Sequence, residues 1–219
     1  MPSRASTRPP ALSRPRLREA IAHLTSVDPK LGRIIEAVGP CTLLPDRRGT
    51  HFSHLARSIV YQQLTGAAAA TIHARVIAAA GGDLSAESVQ ALPEETLRAA
   101  GLSQAKTRAL HDLAARVADG RLTLDGLEAM SDDAIIAQCV GVRGIGPWTA
   151  QMFLMFRLGR PDVLPVLDLG VRKGAQRIHR LRTLPDAERL TRLARPWAPW
   201  RSVASWYCWR ALELEELPR

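Results

Sequence analysis

Cysteine is scarce in this chain. Cys41, Cys139 and Cys208 stand far apart with no Cys-x-x-Cys pair, which argues against structural zinc and against a four-cysteine iron–sulfur loop, since both need clustered thiolates. The spacing fits buried, reduced thiols in a cytoplasmic protein. Aromatic residues make up only 5% of the chain. No apolar run reaches membrane-spanning length, and the segment 1–16, rich in Pro, Ser and Arg, lacks the apolar core of a signal peptide. That segment is expected to be a disordered basic tail, adding at most a phosphate contact. No long stretch alternates apolar with polar residues, which argues against a sheet. Acidic residues are in deficit: 21 Asp and Glu face 30 Lys and Arg, a formal charge of +9, and that balance favours polyanionic partners.

What remains is helical. Apolar spacing predicts helices over 17–24, 29–38, 52–62, 67–80, 86–92, 93–100, 103–119, 124–130, 132–140, 147–158, 170–178, 186–193 and 200–212. An all-α chain of this length, 46% hydrophobic, makes either one compact domain or two helical lobes sharing a cleft.

Two segments carry chemistry. In the first, Ser131 with Asp132 and Asp133 opens a helix that ends near Gly141, and Pro147 suits the first position of the next. The hairpin between them holds Gly144 and Gly146, which let a phosphate approach backbone N–H groups without a Cβ in the way. The following helix N-terminus adds donors and a positive dipole end, with the Thr149 hydroxyl as a further donor. This is the logic of a helix-hairpin-helix over about 131–158, which grips DNA through its backbone and reads no sequence. The same turn also serves simply to join two helices.

The second segment runs from Leu164 to Lys173. Its one carboxylate, Asp168, follows an apolar approach and precedes the helix from Gly170. Two readings of it stand side by side: an N-cap of that helix, and an anion facing a substrate that develops positive charge. Arg143, Arg172, Lys173 and Arg201 are candidates for a phosphate footprint, as is Ser202, which starts a helix beside Arg201. Trp197, Trp200 and Trp206 read as packing residues.

Taken together, Val142–Ala150, Leu164–Lys173 and Pro199-Trp200-Arg201-Ser202 resemble the helix-hairpin-helix DNA glycosylases, and within them the 3-methyladenine DNA glycosylase II, or AlkA-like, family. The resemblance spans roughly residues 20–212. It implies a two-lobed all-α fold with an active-site cleft between lobes of about 17–50 plus 165–219 and about 51–164. It implies a monomeric cytoplasmic enzyme, nucleoid-associated in a bacterium, acting on damaged double-stranded DNA in base excision repair.

The resemblance also assigns residues. Asp168 matches the family's catalytic aspartate, although the adjacent acid common in relatives is replaced by Leu167. Bifunctional members carry a lysine at the position of Trp148, where it forms a Schiff base; Trp148 implies a monofunctional hydrolase that leaves an abasic site. Lys173 is conceivable as a substitute nucleophile, but a solvated or phosphate-contacting lysine beside Arg172 is the favoured reading. Trp148 and Trp209 match base-stacking positions, where an indole face attracts a cationic alkylated purine. Met152 and Leu169 occupy positions where relatives place pocket aromatics, which leaves hypoxanthine, uracil or an oxidised base open as alternative substrates. The segment Ser58–Gly66 resembles the wedge that fills the gap of a flipped base, with Gln63 and Leu64 as candidates; the plainer reading is a helix end. No cofactor is required, and at most a sodium or potassium ion sits at the carbonyls of Val140, Val142 and Ile145. The amino-terminal β-rich domain of longer relatives has no room here. A non-catalytic helix-hairpin-helix DNA-binding protein is the alternative of another class, against which Asp168, Trp148 and Trp209 argue.

Overall fold

A computed structural model describes residues 10–218. Twelve α-helices and no strands occur among them, and no helix is long and apolar enough to cross a membrane. The helices are α1 Arg14–Val27, α2 Pro29–Val38, α3 His51–Tyr61, α4 Gly66–Ala79, α5 Ala86–Ala91 and α6 Glu94–Ala99, then α7 Gln104–Ala118, α8 Asp132–Val140, α9 Pro147–Met152, α10 Leu169–His179, α11 Ala187–Leu193 and α12 Arg201–Ala211. They fall into two compact units. Among the described residues the first comprises 10–46 and 154–218; the second is Arg47–Phe153.

The first unit packs α10, α2 and α1 around α12. Small residues decide how closely α10 approaches α12. A Cβ at Gly174 would overlap the Cys208 carbonyl, and one at Gly170 would lie 2.7 Å from the Trp209 ring, so only glycine permits this crossing. Beneath it, the N-cap of α2 forms a buried polar knot. Asp28 accepts from the backbone N–H groups of Lys30 and Leu31 and from the Trp197 indole at 2.8 Å, and His179 Nε2 lies 3.3 Å from its carboxylate. Trp197, fully buried, thus has the partner a buried indole needs. Trp200 is also buried, with the Arg16 guanidinium over its ring.

The second unit packs α3 on α4 and α7, α5 on α7, and α8 on α9. Thr50 and Ser53 form a reciprocal cap at the start of α3, as Ser85 and Ser88 do for α5. Leu55, Ile59, Leu97, Leu110 and Leu113 fill its core.

Four expectations are corrected here. Residues 10–16 are ordered: Leu12 is buried, its N–H donates to the Gly159 carbonyl at 2.8 Å, and α1 already begins at Arg14. The rest of the expected tail, 1–9, lies outside the described residues. The helix expected over 124–130 shrinks to the 3-10 turn Leu127–Ala129, because Gly126 takes a left-handed φ of 67° that stops an α-helix forming across it. The helix expected over 147–158 stays α-helical only to Met152 and continues as a π-turn, Phe153–Arg157. The later border between units, expected near 164, falls after Phe153, since Leu12 bonds Gly159 and the Asp46 N–H bonds the Phe156 carbonyl at 2.8 Å.

Candidate active site

In the second unit, Ser131 caps α8, its hydroxyl accepting the Ala134 N–H at 3.1 Å, as the sequence suggests. The hairpin that follows is anchored by apolar plugs: Val142 and Ile145 are both buried. Gly144 turns the chain with φ of 78°, and Gly146 stands as N-cap ahead of Pro147, the first residue of α9. Arg143, between the two plugs, is exposed while its backbone N–H donates to Asp112 Oδ2 at 2.7 Å. Asp112 also holds Arg116 Nε at 3.0 Å. Burial raises the Asp112 pKa, but the Arg143 N–H and the Arg116 guanidinium outweigh it and hold it below the ordinary value.

Beside the hairpin lies a cavity of about 530 Å³, lined among others by Arg57, Tyr61, Gln63, Trp148 and Met152. Trp148 is 47% exposed, an unusual position for so large an apolar side chain. Thr149 also lines this cavity but is buried; its hydroxyl is therefore poorly placed to donate to a phosphate on the surface. Gln63 and Leu64 are both exposed in the loop between α3 and α4, and Gln63 holds a left-handed φ of 55°.

In the first unit, Asp168 is the N-cap of α10, its Oδ1 accepting the Val171 N–H at 2.7 Å. The same oxygen accepts the Trp209 indole N–H at 2.9 Å. The cap and the functional reading of Asp168 are thus compatible: the cap is what aims the carboxylate. Trp209, expected to stack on a base, has its N–H committed to Asp168 and its ring stacked on Phe156, 5.9 Å between centroids at 18°. Leu167 and Leu169 flank the carboxylate as exposed apolar residues, Leu169 at 51%. The chain therefore presents an oriented carboxylate within an exposed apolar surface.

The phosphate footprint needs revision. Ser202 is fully buried: its hydroxyl donates to the Arg160 carbonyl at 2.6 Å and accepts the Val163 N–H at 2.9 Å. Arg201 is paired to Asp162 through two parallel bonds of 2.7 and 2.8 Å, so its fork is committed. Both serve as structural clasps of the first unit. Arg172 donates Nε to the Pro185 carbonyl at 2.7 Å, while Lys173 and Arg143 are exposed. None of the cysteines is a nucleophile in waiting: all three are free and buried, and burial pushes the Cys41 and Cys139 thiols up to about 11 and Cys208 higher still.

Several residues of this geometry escape a sequence reading. Phe156, Arg57, Lys106 and Asp112 belong to no motif. Arg57 lies over the Tyr61 ring at 3.9 Å; spacing of four along α3 was the available signal, and it is a weak one.

The family model described as "HhH-GPD superfamily base excision DNA repair protein" matches residues 56–199. DNA-3-methyladenine glycosylase 1 of Schizosaccharomyces pombe is 31% identical over 206 residues, 91% of this chain and 90% of that protein. The crystal structure of a DNA-3-methyladenine glycosidase from Bacillus halodurans is similar with a TM-score of 0.81 at 35% identity, covering 88% of each chain. The 3-methyladenine DNA glycosylase Mag1 of S. pombe, solved in complex with abasic DNA, is similar with a TM-score of 0.77 at 29% identity, covering 92% of this chain and 100% of that one. With a carboxylate aimed by its own helix and a glycine hairpin in the matched stretch, the chain belongs to the HhH-GPD superfamily of base excision DNA repair proteins.

Proposed function

We propose that this chain is a monofunctional DNA-3-methyladenine glycosylase of the AlkA-like type II. It hydrolyses the N-glycosidic bond of alkylated purines, of the 3-methyladenine and 7-methylguanine kind, in double-stranded DNA and leaves an abasic site. The observation that carries the reading is Asp168, whose Oδ1 is fixed by the Val171 N–H and the Trp209 indole. Asp28 has the same cap and indole partners but is buried, whereas Asp168 is part-exposed between Leu167 and Leu169, which supports a carboxylate that faces a substrate.

The chemistry follows from charge. As the C1′–N bond of the flipped nucleotide breaks, its electron pair leaves with the base and positive charge develops on the deoxyribose. The preorganised Asp168 carboxylate stabilises that charge. Water then adds to C1′, and its proton passes to Asp168 and on to solvent. A purine alkylated at N3 or N7 is already cationic, so it departs as a neutral base without needing a proton. An indole face such as that of the exposed Trp148 favours such a cation by about 0.5–2 kcal/mol over a neutral base. Trp148 stands where a Schiff-base lysine would have to be, which supports hydrolysis without strand cleavage.

The hairpin holds the backbone through Gly144, Gly146 and the Arg143 side chain, with Arg172 and Lys173 as further contacts. Gln63 and Leu64 fill the gap left by the extruded base, which needs a few kcal/mol of unstacking. The carbonyls of Val140, Val142 and Ile145 suit a structural sodium or potassium ion. That of Val142 already accepts the Ile145 N–H at 3.1 Å and keeps a second lone pair. No cofactor enters the chemistry, and the enzyme acts as a cytoplasmic monomer.

Met152 and the Arg57–Tyr61 pair in the cavity favour a second reading, excision of another lesion such as hypoxanthine, uracil or an oxidised base. One experiment separates the readings. Base release from alkylated duplex DNA is followed by chromatography for the parent and for Asp168→Asn. The parent should release 3-methyladenine or 7-methylguanine, with strand breaks only after alkali, and the variant should be slower by about 10³-fold. Tight binding without release of any alkylated base would overturn the alkylpurine reading, and release of hypoxanthine, uracil or an oxidised base would establish the second.

A further inference from the structure

Three observations in the second unit converge on α7. First, the loop after α3 is held from outside. Lys106 Nζ donates to the carbonyl of Val60 in the last turn of α3 at 2.8 Å and to that of Gln62, just after the helix, at 2.7 Å, and the Gln62 side chain donates to the Gly144 carbonyl of the hairpin at 2.8 Å. Second, Gln63 adopts a left-handed φ of 55°, a conformation that a residue with a Cβ keeps only where its surroundings fix it. Third, the residues of α7 that touch the hairpin lie on the same side of the helix as Lys106. Ala109 is what a Cβ at Gly144 would meet at 3.5 Å, Asp112 accepts the Arg143 N–H at 2.7 Å, and Arg116 closes on Gly141. Helical spacing of 3, 3 and 4 residues keeps all four within one stripe.

One helix therefore grips two loops that are far apart in sequence. The Lys106 ammonium is part-buried against these two carbonyls, and that partial desolvation lowers its pKa. Neither its contacts nor those of Gln62 are needed to fill the core.

We propose that Lys106 and Gln62 are positioning residues that tie the loop 62–65 to the phosphate-binding hairpin, with α7 as the ruler between them. Gripping the backbone and entering the base stack then occur at one fixed spacing. The proposal rests on the reading above that these two loops are wedge and clamp. Lys106 touches no reacting atom; it acts by keeping Gln63 and Leu64 at the depth that makes extrusion productive, where a displacement of 1 Å is enough to lose about a hundredfold in rate.

The test uses the full chain and Lys106→Met, with Lys106→Arg as the conservative variant and Gln62→Leu as a second lesion that leaves the α3 cap in place. Single-turnover release of 7-methylguanine is measured from a fully paired duplex and from a duplex in which the lesion faces an abasic analogue. Lys106→Met and Gln62→Leu should each slow release from the paired duplex about tenfold or more and from the unpaired lesion less than about twofold. The salt dependence of DNA binding should be unchanged, and Lys106→Arg should recover most of the rate. Adding Gln63→Ala together with Leu64→Ala to Lys106→Met should cost little more than either change alone. Equal slowing on both substrates, or no slowing, would overturn the proposal.

Fluorescence of 2-aminopurine beside an abasic analogue reports extrusion without chemistry. The parent should raise it on binding, and Lys106→Met at saturation should reach less than about half that rise, extrusion being separable from backbone binding. If the parent releases no alkylated base at all, the proposed activity fails, and the fluorescence comparison alone still decides the coupling.

Discussion

The two units hold their functional groups by opposite means. In the first, Asp168 is fixed by tight packing: two glycines let α12 approach α10, and the approach brings the Trp209 indole to the carboxylate. In the second, the hairpin and the loop after α3 are held by polar side chains, Gln62 of the loop itself and Lys106 and Asp112 of α7. The difference matches the chemistry proposed above for each unit. A carboxylate that stabilises developing charge must be aimed to a fraction of an ångström, whereas a backbone clamp must meet any sequence and so presents N–H groups and small residues.

The sharpest way to break that contrast is Gly170→Ala. Its Cβ would lie 2.7 Å from Trp209 Cδ1, 3.0 Å from Nε1 and 3.1 Å from Asp168 Oδ1, so the indole must move and the carboxylate loses its second donor. Base release should fall about a hundredfold with DNA affinity retained. Trp209→Phe removes the N–H and keeps most of the ring; it should fall about tenfold, and the double variant should be no worse than Gly170→Ala alone. Additive losses would mean that the two residues act separately and that Trp209 contributes by touching the base.

A second contrast concerns pH. Burial alone would raise the Asp28 pKa, but hydrogen bonds from His179, the Trp197 indole and the Leu31 N–H outweigh it and bring it down from 3.8 to about 2. A carboxylate depressed in the folded state contributes stability that is full above its unfolded value and is lost as pH falls toward the folded one. Between about pH 4 and 2 the protein should lose about 2 kcal/mol through this group. Asp28→Asn should flatten that part of the melting-temperature profile. An unchanged profile would remove Asp28 from the acid transition.

What the sequence makes legible is what local rules govern. Ser131, Gly144, Pro147 and Asp168 announce themselves because caps, tight turns and helix starts are settled within a few residues. Arg201 and Ser202 mislead for the same reason: they open a helix, as anion sites do, but their partners Asp162 and Arg160 lie about forty residues away in the chain, where no local pattern reaches. Lys106 is silent in the sequence because its acceptors are backbone carbonyls, which any residues would supply. Trp209 shows its type but not its task, since an indole that stacks and an indole that donates read alike.

Arg143 and Arg201 give the smallest effects and the finest discrimination. Both sit beside glycine- or proline-bearing turns and both suggest phosphate contacts, yet only Arg143 is exposed with its own N–H pinned to Asp112. Arg143→Ala should weaken binding to every duplex alike and reduce the slope of log affinity against log salt by about one. Arg201→Ala should leave that slope alone and instead lower the melting temperature, because it abandons Asp162 in a half-buried site. A change of salt slope in Arg201→Ala would mean that its pair with Asp162 opens on DNA. An unchanged slope in Arg143→Ala would leave the hairpin to hold phosphate through its backbone alone.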